Sequence, residues 1–249
     1  MNLFGITRSV IGRDHALFAP ESFVPALLPG WEGTQGVILI SPRLGAAFTQ
    51  YLVFLEPDGA ANAMRSHSER FLYVLEGEAL LDVNNRLSIL GIGGYAYLPP
   101  GITHVVGAET SSQLVVFERA YAPQSGKPPP GVIIGQEENQ KGVAFMGDPD
   151  AVLKNLLPDE PAFDMAINLF TFQPGAALPQ VEVHVMEHGL LMLAGAGVYR
   201  LGNSWYPVQA DDVIWMAPYC PQWFVAMGKT PARYLYYKDV NRSPREAPV

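Results

Sequence analysis

The chain is poor in cysteine, histidine and basic residues. Its 249 residues include one cysteine, five histidines, and 16 lysines and arginines against 24 acidic side chains. The single Cys220 excludes an internal disulfide. A formal net charge of −8 argues against nucleic acid and anionic membranes as partners, because both are bound by basic surfaces that neutralise phosphate groups.

Long apolar runs are also absent. No uninterrupted apolar stretch approaches the roughly 20 residues of a membrane-spanning helix. The first residues lack the basic region, apolar run and cleavage site of a secretory signal. We therefore expect a cytoplasmic protein without a membrane partner.

Turn-forming and strand-forming residues are plentiful. The sequence has 24 glycines and 22 prolines, and the short apolar runs between them are rich in β-branched and aromatic residues. With 49% hydrophobic and 16% charged residues, the composition is that of a globular protein. The pattern predicts an all-β fold. The one helix that we expect is a short one at residues 148–157, capped by Asp148 or Asp150.

The chain contains an internal repeat. Residues 70–78 match residues 188–196, and residues 94–104 match residues 212–222 in the same register. Each copy has an apolar strand that ends at a glycine turn, further strands and a proline-containing loop. Such a unit is a small antiparallel barrel or jelly roll, which limits exposed sheet edges. We predict an N-terminal barrel at residues 1–121, a proline-rich linker at 122–142 and a C-terminal barrel at 143–249.

Residues 182–188 of the second copy alternate along the chain in a way that predicts a metal site. On a β-strand, Glu182, His184 and His188 would point to one face, which the following apolar residues continue into the barrel interior. A carboxylate and two imidazoles are costly there unless a cation compensates them. This ligand set suits Mn²⁺, Fe²⁺, Zn²⁺, Co²⁺ or Ni²⁺ better than Ca²⁺ or Mg²⁺. The alternative is that the two histidines are ordinary strand residues.

This arrangement resembles the cupin superfamily, in which a first motif places Glu-x-His, a later ligand and a glycine turn along one hairpin. A second cupin motif supplies a further ligand shortly after a proline, and Pro218 and Gln222 occupy that motif here. The resemblance implies two cupin domains in one chain, with Gln222 as a fourth ligand through its amide oxygen. Two alternatives remain: Gln222 is a surface residue, or Cys220 offers a thiolate from the same loop, although its position does not match the motif.

The first copy lacks the ligand set. At three of the four positions it has Met64, Ser66 and Arg70, and only His104 remains, at the position of Gln222. One imidazole does not hold a metal. We therefore expect the N-terminal barrel to be structural, with a role in packing and in forming a homo-oligomer.

The sequence also resembles one family of two-domain cupins, the (S)-ureidoglycine aminohydrolases of purine degradation. The similarity covers nearly the whole chain and is carried by residues 41–46, 71–77, 182–189, 195–199 and 236–242. It implies Mn²⁺ bound by Glu182, His184, His188 and Gln222, and the release of ammonia from (S)-ureidoglycine to give (S)-ureidoglycolate. The first barrel departs from the family pattern at residues 65–70.

The C-terminal strand carries further candidate residues. Alternation over residues 233–238 places Tyr234, Tyr236 and Lys238 on one face. If this face lines the cavity, Tyr234 and Lys238 lie beside the substrate, and desolvation together with the nearby cation disfavours the charged form of Lys238, which suits it to proton transfer. The alternative is that Lys238 extends to solvent. Tyr199 matches a substrate-contacting position of the family, although a strand tyrosine is often only part of the core.

The family resemblance implies a metal-dependent hydrolase. The metal would act as a Lewis acid on a small substrate, and either Lys238 or Glu182 would transfer protons. Two alternatives are a non-catalytic cupin that binds a small metabolite, and a metal-dependent cupin oxygenase or isomerase. Release of ammonia from ureidoglycine distinguishes the hydrolase from the binding protein, and the additional ligand Gln222 argues against an oxygenase.

Overall fold

The computed structural model describes residues 7–57, 59–61 and 67–242. Over these ranges the regular structure comprises 23 β-strands and two short 3-10 helices, with no α-helix, which confirms the predicted all-β class. The strands are β1 (Val10–Ile11), β2 (His15–Phe18), β3 (Ala26–Leu27), β4 (Trp31–Glu32), β5 (Gln35–Ile40), β6 (Thr49–Leu55), β7 (Ala60–Ala61), β8 (Ser68–Glu76), β9 (Ala79–Val83), β10 (Arg86–Leu90), β11 (Gly94–Leu98), β12 (His104–Gly107), β13 (Ser112–Ala120), β14 (Ile133–Gln136), β15 (Gly142–Phe145), β16 (Asp148–Asn155), β17 (Met165–Phe172), β18 (His188–Ala194), β19 (Ala196–Leu201), β20 (Ser204–Gln209), β21 (Val213–Met216), β22 (Gln222–Met227) and β23 (Ala232–Asp239). The 3-10 helices are Pro20–Ser22 and Glu137–Asn139. No helical segment in the described ranges is long and apolar enough to cross a membrane.

The chain divides into two compact units, each built from more than one part of the sequence. Among the described residues, the N-terminal barrel takes residues from 24–140 and 157–164. The C-terminal barrel takes residues 7–23, 141–156 and 165–242. These boundaries differ from the predicted ones, because each unit includes a segment from the opposite half of the chain.

Strand pairing explains the first exchanged segment, and hydrogen bonds that involve side chains explain the second. Strands β1 and β2 extend the sheet of the C-terminal barrel, where β2 pairs with β21. Arg8 fixes the same segment through two hydrogen bonds of 2.7 Å to the buried carboxylate of Asp212. Within the N-terminal barrel, Tyr121 donates a hydrogen bond to the carbonyl of Ala162 at 3.0 Å. The predicted linker contains strand β14, which pairs with β11.

The N-terminal barrel has two sheets around an aliphatic core. The strand orders are β14-β11-β8-β13-β6-β5-β3 and β10-β9-β12-β7-β4. Alternate residues of the central strands β8 and β13, including Leu72, Val74, Leu114 and Val116, belong to this core. The residues between them, such as Phe71 and Val115, are also buried, so both faces of these central strands are covered.

The C-terminal barrel has an aromatic core that supports the candidate site. Its sheets have the orders β1-β2-β21-β18-β23-β17-β16-β15 and β20-β19-β22. Phe172 from β17 packs against Phe224 and Tyr234, with ring centroids 5.1 Å and 5.7 Å away. Leu190 and Met192 of β18 join this core, as the sequence pattern predicted for the inward face.

The internal repeat is present in the backbone conformation. Gly77 and Gly195 both have a φ of 72° and occupy equivalent turns. A side chain at either position would collide with Ser112 or with the backbone of Pro231, so the close approach of the chain also requires glycine there. The repeat continues at Tyr219, whose φ of 64° reproduces the left-handed conformation of Gly101 in the first copy.

The predicted helix at residues 148–157 is wrong. Residues Asp148–Asn155 form β16, which lies between β15 and β17 in the sheet. The side chain of Asp148 does accept a hydrogen bond from the backbone N–H of Asp150, at 2.9 Å, but this contact lies at the start of a strand. Two ladders of backbone hydrogen bonds and the burial of Ala151 outweigh the local capping signal.

Two buried acidic side chains, Glu69 and Asp164, lie where the exchanged segment 157–164 joins the N-terminal barrel. Glu69 and Asp164 are fully buried; Glu69 accepts a hydrogen bond of 2.6 Å from Tyr97, and Asp164 accepts one of 2.7 Å from the backbone of Ala122. Arg119 lies 3.9 Å from Glu69 and 3.7 Å from Asp164. Burial, assisted by the neighbouring Asp164, raises the pKa of Glu69 to about 9.

We expect Glu69→Gln to reduce the loss of stability at alkaline pH. A carboxyl whose pKa is higher in the folded state stabilises the fold fully below its unfolded pKa near 4.5, and this contribution is lost as the pH rises towards 9. The slope from one such group is about 1.4 kcal/mol per pH unit. Urea unfolding between pH 5 and 9 measures it, with the exposed Glu109→Gln as control. Equal slopes for wild type and Glu69→Gln would contradict the shifted pKa.

Candidate functional site

The candidate site is a cavity of about 130 Å³ in the C-terminal barrel. It is lined by all seven residues that the sequence singled out: Glu182, His184, His188, Tyr199, Gln222, Tyr234 and Lys238. Apolar and aromatic side chains complete the wall, among them Phe145, Phe170, Leu178 and Tyr236. A mostly apolar cavity with a few convergent polar groups is typical of a small-molecule site.

The polar groups come from the ends of two strands and from the segment that precedes them. His188 begins β18 and Gln222 begins β22. Glu182 and Gln222 exchange both backbone hydrogen bonds, at 2.8 Å and 3.0 Å, as an isolated bridge. This bridge brings the two cupin motifs together at the cavity.

The continuous strand predicted over residues 182–188 is wrong. The structure has a bridge at Glu182 and an irregular segment up to β18. Backbone groups in this segment bond to a loop and a side chain instead of a ladder: Tyr219 donates to the carbonyl of His184 at 2.7 Å, and the N–H of Glu187 donates to Asp239 at 2.5 Å. The polar side chains nevertheless reach one cavity.

His184 lies at the centre of the polar cluster. Its Nε2 atom is 3.2 Å from Nε2 of His188, 2.9 Å from the amide nitrogen of Gln222 and 3.8 Å from Oε2 of Glu182. Atoms that share a transition ion at about 2.0–2.2 Å lie roughly 3 Å apart. The two amide atoms of Gln222 are interchangeable by rotation, so the oxygen can face the same point. The spacing and the donor types fit a divalent transition ion.

The environment keeps His188 in the form that binds metals. Burial lowers the pKa of His188 to about 3, and the nearby His184 and Lys238 lower it further. A neutral imidazole has a free lone pair for an ion, whereas an imidazolium has none. Lys238 stands opposite His188 in the pairing of β18 with β23 and faces the cavity.

Three tyrosines provide hydroxyl groups at the cavity. Tyr199 and Tyr234 are buried, and burial raises the pKa of each well above its ordinary value. Burial raises the pKa of Tyr236 as well. These hydroxyls therefore stay protonated at neutral pH and can donate hydrogen bonds.

Comparison with known proteins places this geometry in a family. The model of the cupin domain matches residues 51–118 and 168–237. Over 98% of the chain, the sequence is 46% identical to the probable (S)-ureidoglycine aminohydrolase of Oryza sativa subsp. japonica and 45% identical to the (S)-ureidoglycine aminohydrolase of Arabidopsis thaliana. The alignments cover 78% and 81% of those two proteins. The chain belongs to the (S)-ureidoglycine aminohydrolase family of bicupins.

A solved structure supports this membership. The crystal structure of protein YlbA from E. coli superposes with a TM-score of 0.85 at 34% identity, over 96% of both chains. The names of the curated relatives support an aminohydrolase role for this family member.

The N-terminal cupin domain of this ureidoglycine aminohydrolase family member holds a guanidinium where the other domain has its cluster. Arg70 takes the place of His188 and donates hydrogen bonds to Glu118 at 2.6 Å and to Nε2 of His104 at 3.0 Å. Burial lowers the pKa of His104 to about 4, and Arg70 adds to that shift. The aligned residues Met64 and Ser66 lie outside the described residues. A fixed positive charge at this centre opposes the binding of a cation.

Two polar residues at the candidate site were not selected from the sequence. Tyr236 lines the cavity, and its ring centroid is 5.6 Å from that of His188. Asn168 is buried on β17 and donates a hydrogen bond of 3.1 Å to the hydroxyl of Tyr236. Strand alternation already placed Tyr236 on the face of Tyr234, but nothing local marks Asn168, whose partner is distant in sequence.

Proposed function

We propose that this protein is a Mn²⁺-dependent (S)-ureidoglycine aminohydrolase that releases ammonia and forms (S)-ureidoglycolate. The observation that carries the proposal is the meeting of Glu182, His184, His188 and Gln222 in one cavity of a chain 46% identical to a protein of that name. The cavity volume of about 130 Å³ suits a small substrate.

The metal assignment follows from the donor set. Glu182, His184, His188 and Gln222 would hold the ion, which supplies Lewis-acid polarisation of the substrate when bound. One carboxylate, two imidazoles and an amide oxygen suit Mn²⁺, Fe²⁺, Zn²⁺, Co²⁺ or Ni²⁺, and the family resemblance favours Mn²⁺ among them. In the N-terminal barrel, Arg70 occupies the corresponding point, so we propose a single such site per chain.

The chain's own residues would orient the substrate and move protons. Lys238 faces the cavity beside His188, from where its Nζ donates a hydrogen bond to the substrate and a proton to the departing amino group. Tyr199 and Tyr234 donate hydrogen bonds that hold the substrate's carboxylate or ureido oxygen. Glu182, at the other side of His184, is the alternative proton-transfer group.

Assay on freshly prepared ureidoglycine tests the proposed function. The Mn²⁺-loaded protein is expected to release ammonia and form ureidoglycolate faster than a reaction without protein. Binding of ureidoglycine without turnover would favour the non-catalytic metabolite-binding alternative. Consumption of oxygen with a substrate of the cupin oxygenases, in place of ammonia release from ureidoglycine, would favour the oxygenase alternative.

The remaining proposals concern the assembly and location of the protein. We infer that the N-terminal barrel is structural and contributes to a homo-oligomer, since its centre is filled by the Arg70–Glu118 ion pair. The small-molecule substrate is the proposed partner, and the cytoplasm is the proposed location. Light scattering of the purified protein measures the oligomer size.

Asn168 is expected to act by positioning Tyr236. Its amide donates to the tyrosine oxygen, so the phenolic hydrogen is left to point towards a bound molecule. Loss of one neutral hydrogen bond costs about 0.5–1.5 kcal/mol, so Asn168→Leu should lower kcat/KM roughly three- to tenfold, on the scale of tenfold per 1.4 kcal/mol.

A double-mutant cycle checks this role of Asn168. In the Tyr236→Phe background, where the hydroxyl is missing, Asn168→Leu should have little further effect on kcat/KM. Additive losses in the double variant would show that Asn168 acts on the site by another route, or only on stability.

A further inference from the structure

The C-terminal barrel contains a second cluster of metal-ligating side chains. Asp14, His15 and Cys220 each offer one ligand atom, and these atoms all lie within 4.8 Å of one another. His15 and Cys220 are 7% and 3% exposed. None of the three lines the cavity described above. We propose that Asp14, His15 and Cys220 form a separate site for a thiophilic divalent cation of the zinc class.

The fold brings these residues together from the two ends of the C-terminal barrel sequence. Strand β2 begins at His15 and pairs with β21, and the N–H of Ala217 then donates to the carbonyl of Asp14 at 2.9 Å. A turn follows, in which the N–H of Cys220 donates to the carbonyl of Ala217 at 3.1 Å. This turn directs the loop after β21 back over the N-terminal segment. Backbone hydrogen bonds thus bring the three residues together without a bound ion.

The orientation of His15 matches that of a metal ligand. Its Nε2 atom lies 2.9 Å from the hydroxyl of Tyr206, and its Nδ1 atom faces Asp14 at 2.8 Å. A ligating histidine usually donates its other ring N–H to a fixed acceptor, which sets the ring orientation. Tyr206 is placed to accept from Nε2, which leaves Nδ1 for an ion between Asp14 and Cys220.

The chemistry of the cluster selects the kind of ion. Sulfur, imidazole nitrogen and carboxylate oxygen together are ligands of Zn²⁺ and Co²⁺, whereas Mg²⁺, Ca²⁺ and Mn²⁺ favour oxygen-rich sets. In the described residues, no lysine or arginine side chain lies within ion-pair distance of Asp14, and its close neighbour is the ring of His15. When the ion binds, the sulfur of Cys220 gives its proton to water and its electron pair to the metal, with no change of oxidation state.

Occupancy would tie the N-terminal segment to the loop that leads to Gln222. Asp14 and His15 belong to the N-terminal segment, and Cys220 lies two residues before Gln222. The expected role is to hold this loop against β2. The proposal does not depend on the aminohydrolase activity, because it concerns residues outside the cavity.

Cobalt spectroscopy on the full-length protein tests the site. The chain has one cysteine, so a near-ultraviolet thiolate-to-cobalt charge-transfer band can come only from Cys220. After removal of metal with a chelator, Co²⁺ titration is expected to produce this band, and in His184→Ala the band should saturate at one ion per chain. The band should persist in His184→Ala, which disrupts the candidate site in the cavity, and disappear in Cys220→Ser. His15→Asn, which keeps a polar side chain, should weaken cobalt binding at least tenfold.

Thermal unfolding gives a second measurement. In the His184→Ala background, Zn²⁺ should raise the Tm, and adding Cys220→Ser should abolish this increase. Absence of the charge-transfer band in folded, cobalt-saturated protein would overturn the proposal and show that Asp14, His15 and Tyr206 form only a hydrogen-bonded chain. Should His184→Ala fail to fold, the band in the native chain decides the question.

Discussion

The His184→Ala variant is expected to lose bound Mn²⁺ and ammonia release together, whereas His104→Gln is expected to retain both. His184 has the three other polar groups of the cluster around its Nε2 atom, at 2.9 Å to 3.8 Å. Its removal opens the centre of the ligand set. His104 bonds instead to the guanidinium of Arg70, which already provides the positive charge in its barrel.

Manganese content and activity, measured on the same preparations, check this expectation. Wild type and His104→Gln should each hold close to one Mn²⁺ per chain, and the ammonia release of His184→Ala should fall to the rate without protein. Loss of manganese in a folded His104→Gln variant would move the site to the N-terminal barrel. Two manganese ions per wild-type chain, both retained in Cys220→Ser, would show that this barrel also binds metal.

Lys238→Met is expected to lower turnover by roughly 10²-fold or more, the contribution of a positioned acid or base. Methionine keeps most of the apolar stem and removes the charged end. The side chain of Lys238 lines the cavity opposite His188 and supplies none of the four proposed metal ligands. Manganese content should therefore stay at the wild-type value while ammonia release falls.

The exposed Lys229 provides a matched control for this loss of charge. Lys229→Met should leave ammonia release unchanged, since the residue lies outside the cavity lining. If Lys238→Met also keeps near-normal turnover, the proton-transfer role belongs to Glu182 or to a bound water, and Lys238 serves only to line the cavity.

The sequence predicted the fold class and the composition of the candidate site, because both depend on residue types in a repeated order. The match between the two copies indicated two equivalent barrels, and their comparison showed which copy keeps Glu182, His184 and His188. The structure places these residues around one cavity, and their roles remain predictions. A family motif, not alternation, was needed to select Gln222.

Other features depend on pairing between distant parts of the chain and could not be predicted locally. Alternation over residues 182–188 indicated which side chains share a face, but not that the neighbouring backbone would bond to Asp239 and Tyr219. The capping residue Asp148 favoured a helix where sheet pairing imposes a strand. The hydrogen bond from Asn168 to Tyr236 joins two strands, and the sequence of neither strand alone indicates it.

The exchange of segments between the barrels also constrains the order in which the two barrels can fold during synthesis. On the ribosome, β1 and β2 emerge before the strands of the N-terminal barrel, yet β2 pairs with β21 at Val213–Met216, which is translated after that barrel. Strands β1 and β2 therefore remain without their partner strand β21 while the N-terminal barrel forms. That barrel in turn lacks residues 157–164 until they have been translated. A gene divided within the proline-rich stretch at 122–132 would leave each product without a piece of its own barrel, so the two halves can complete their folds only as one polypeptide or as fragments that meet again.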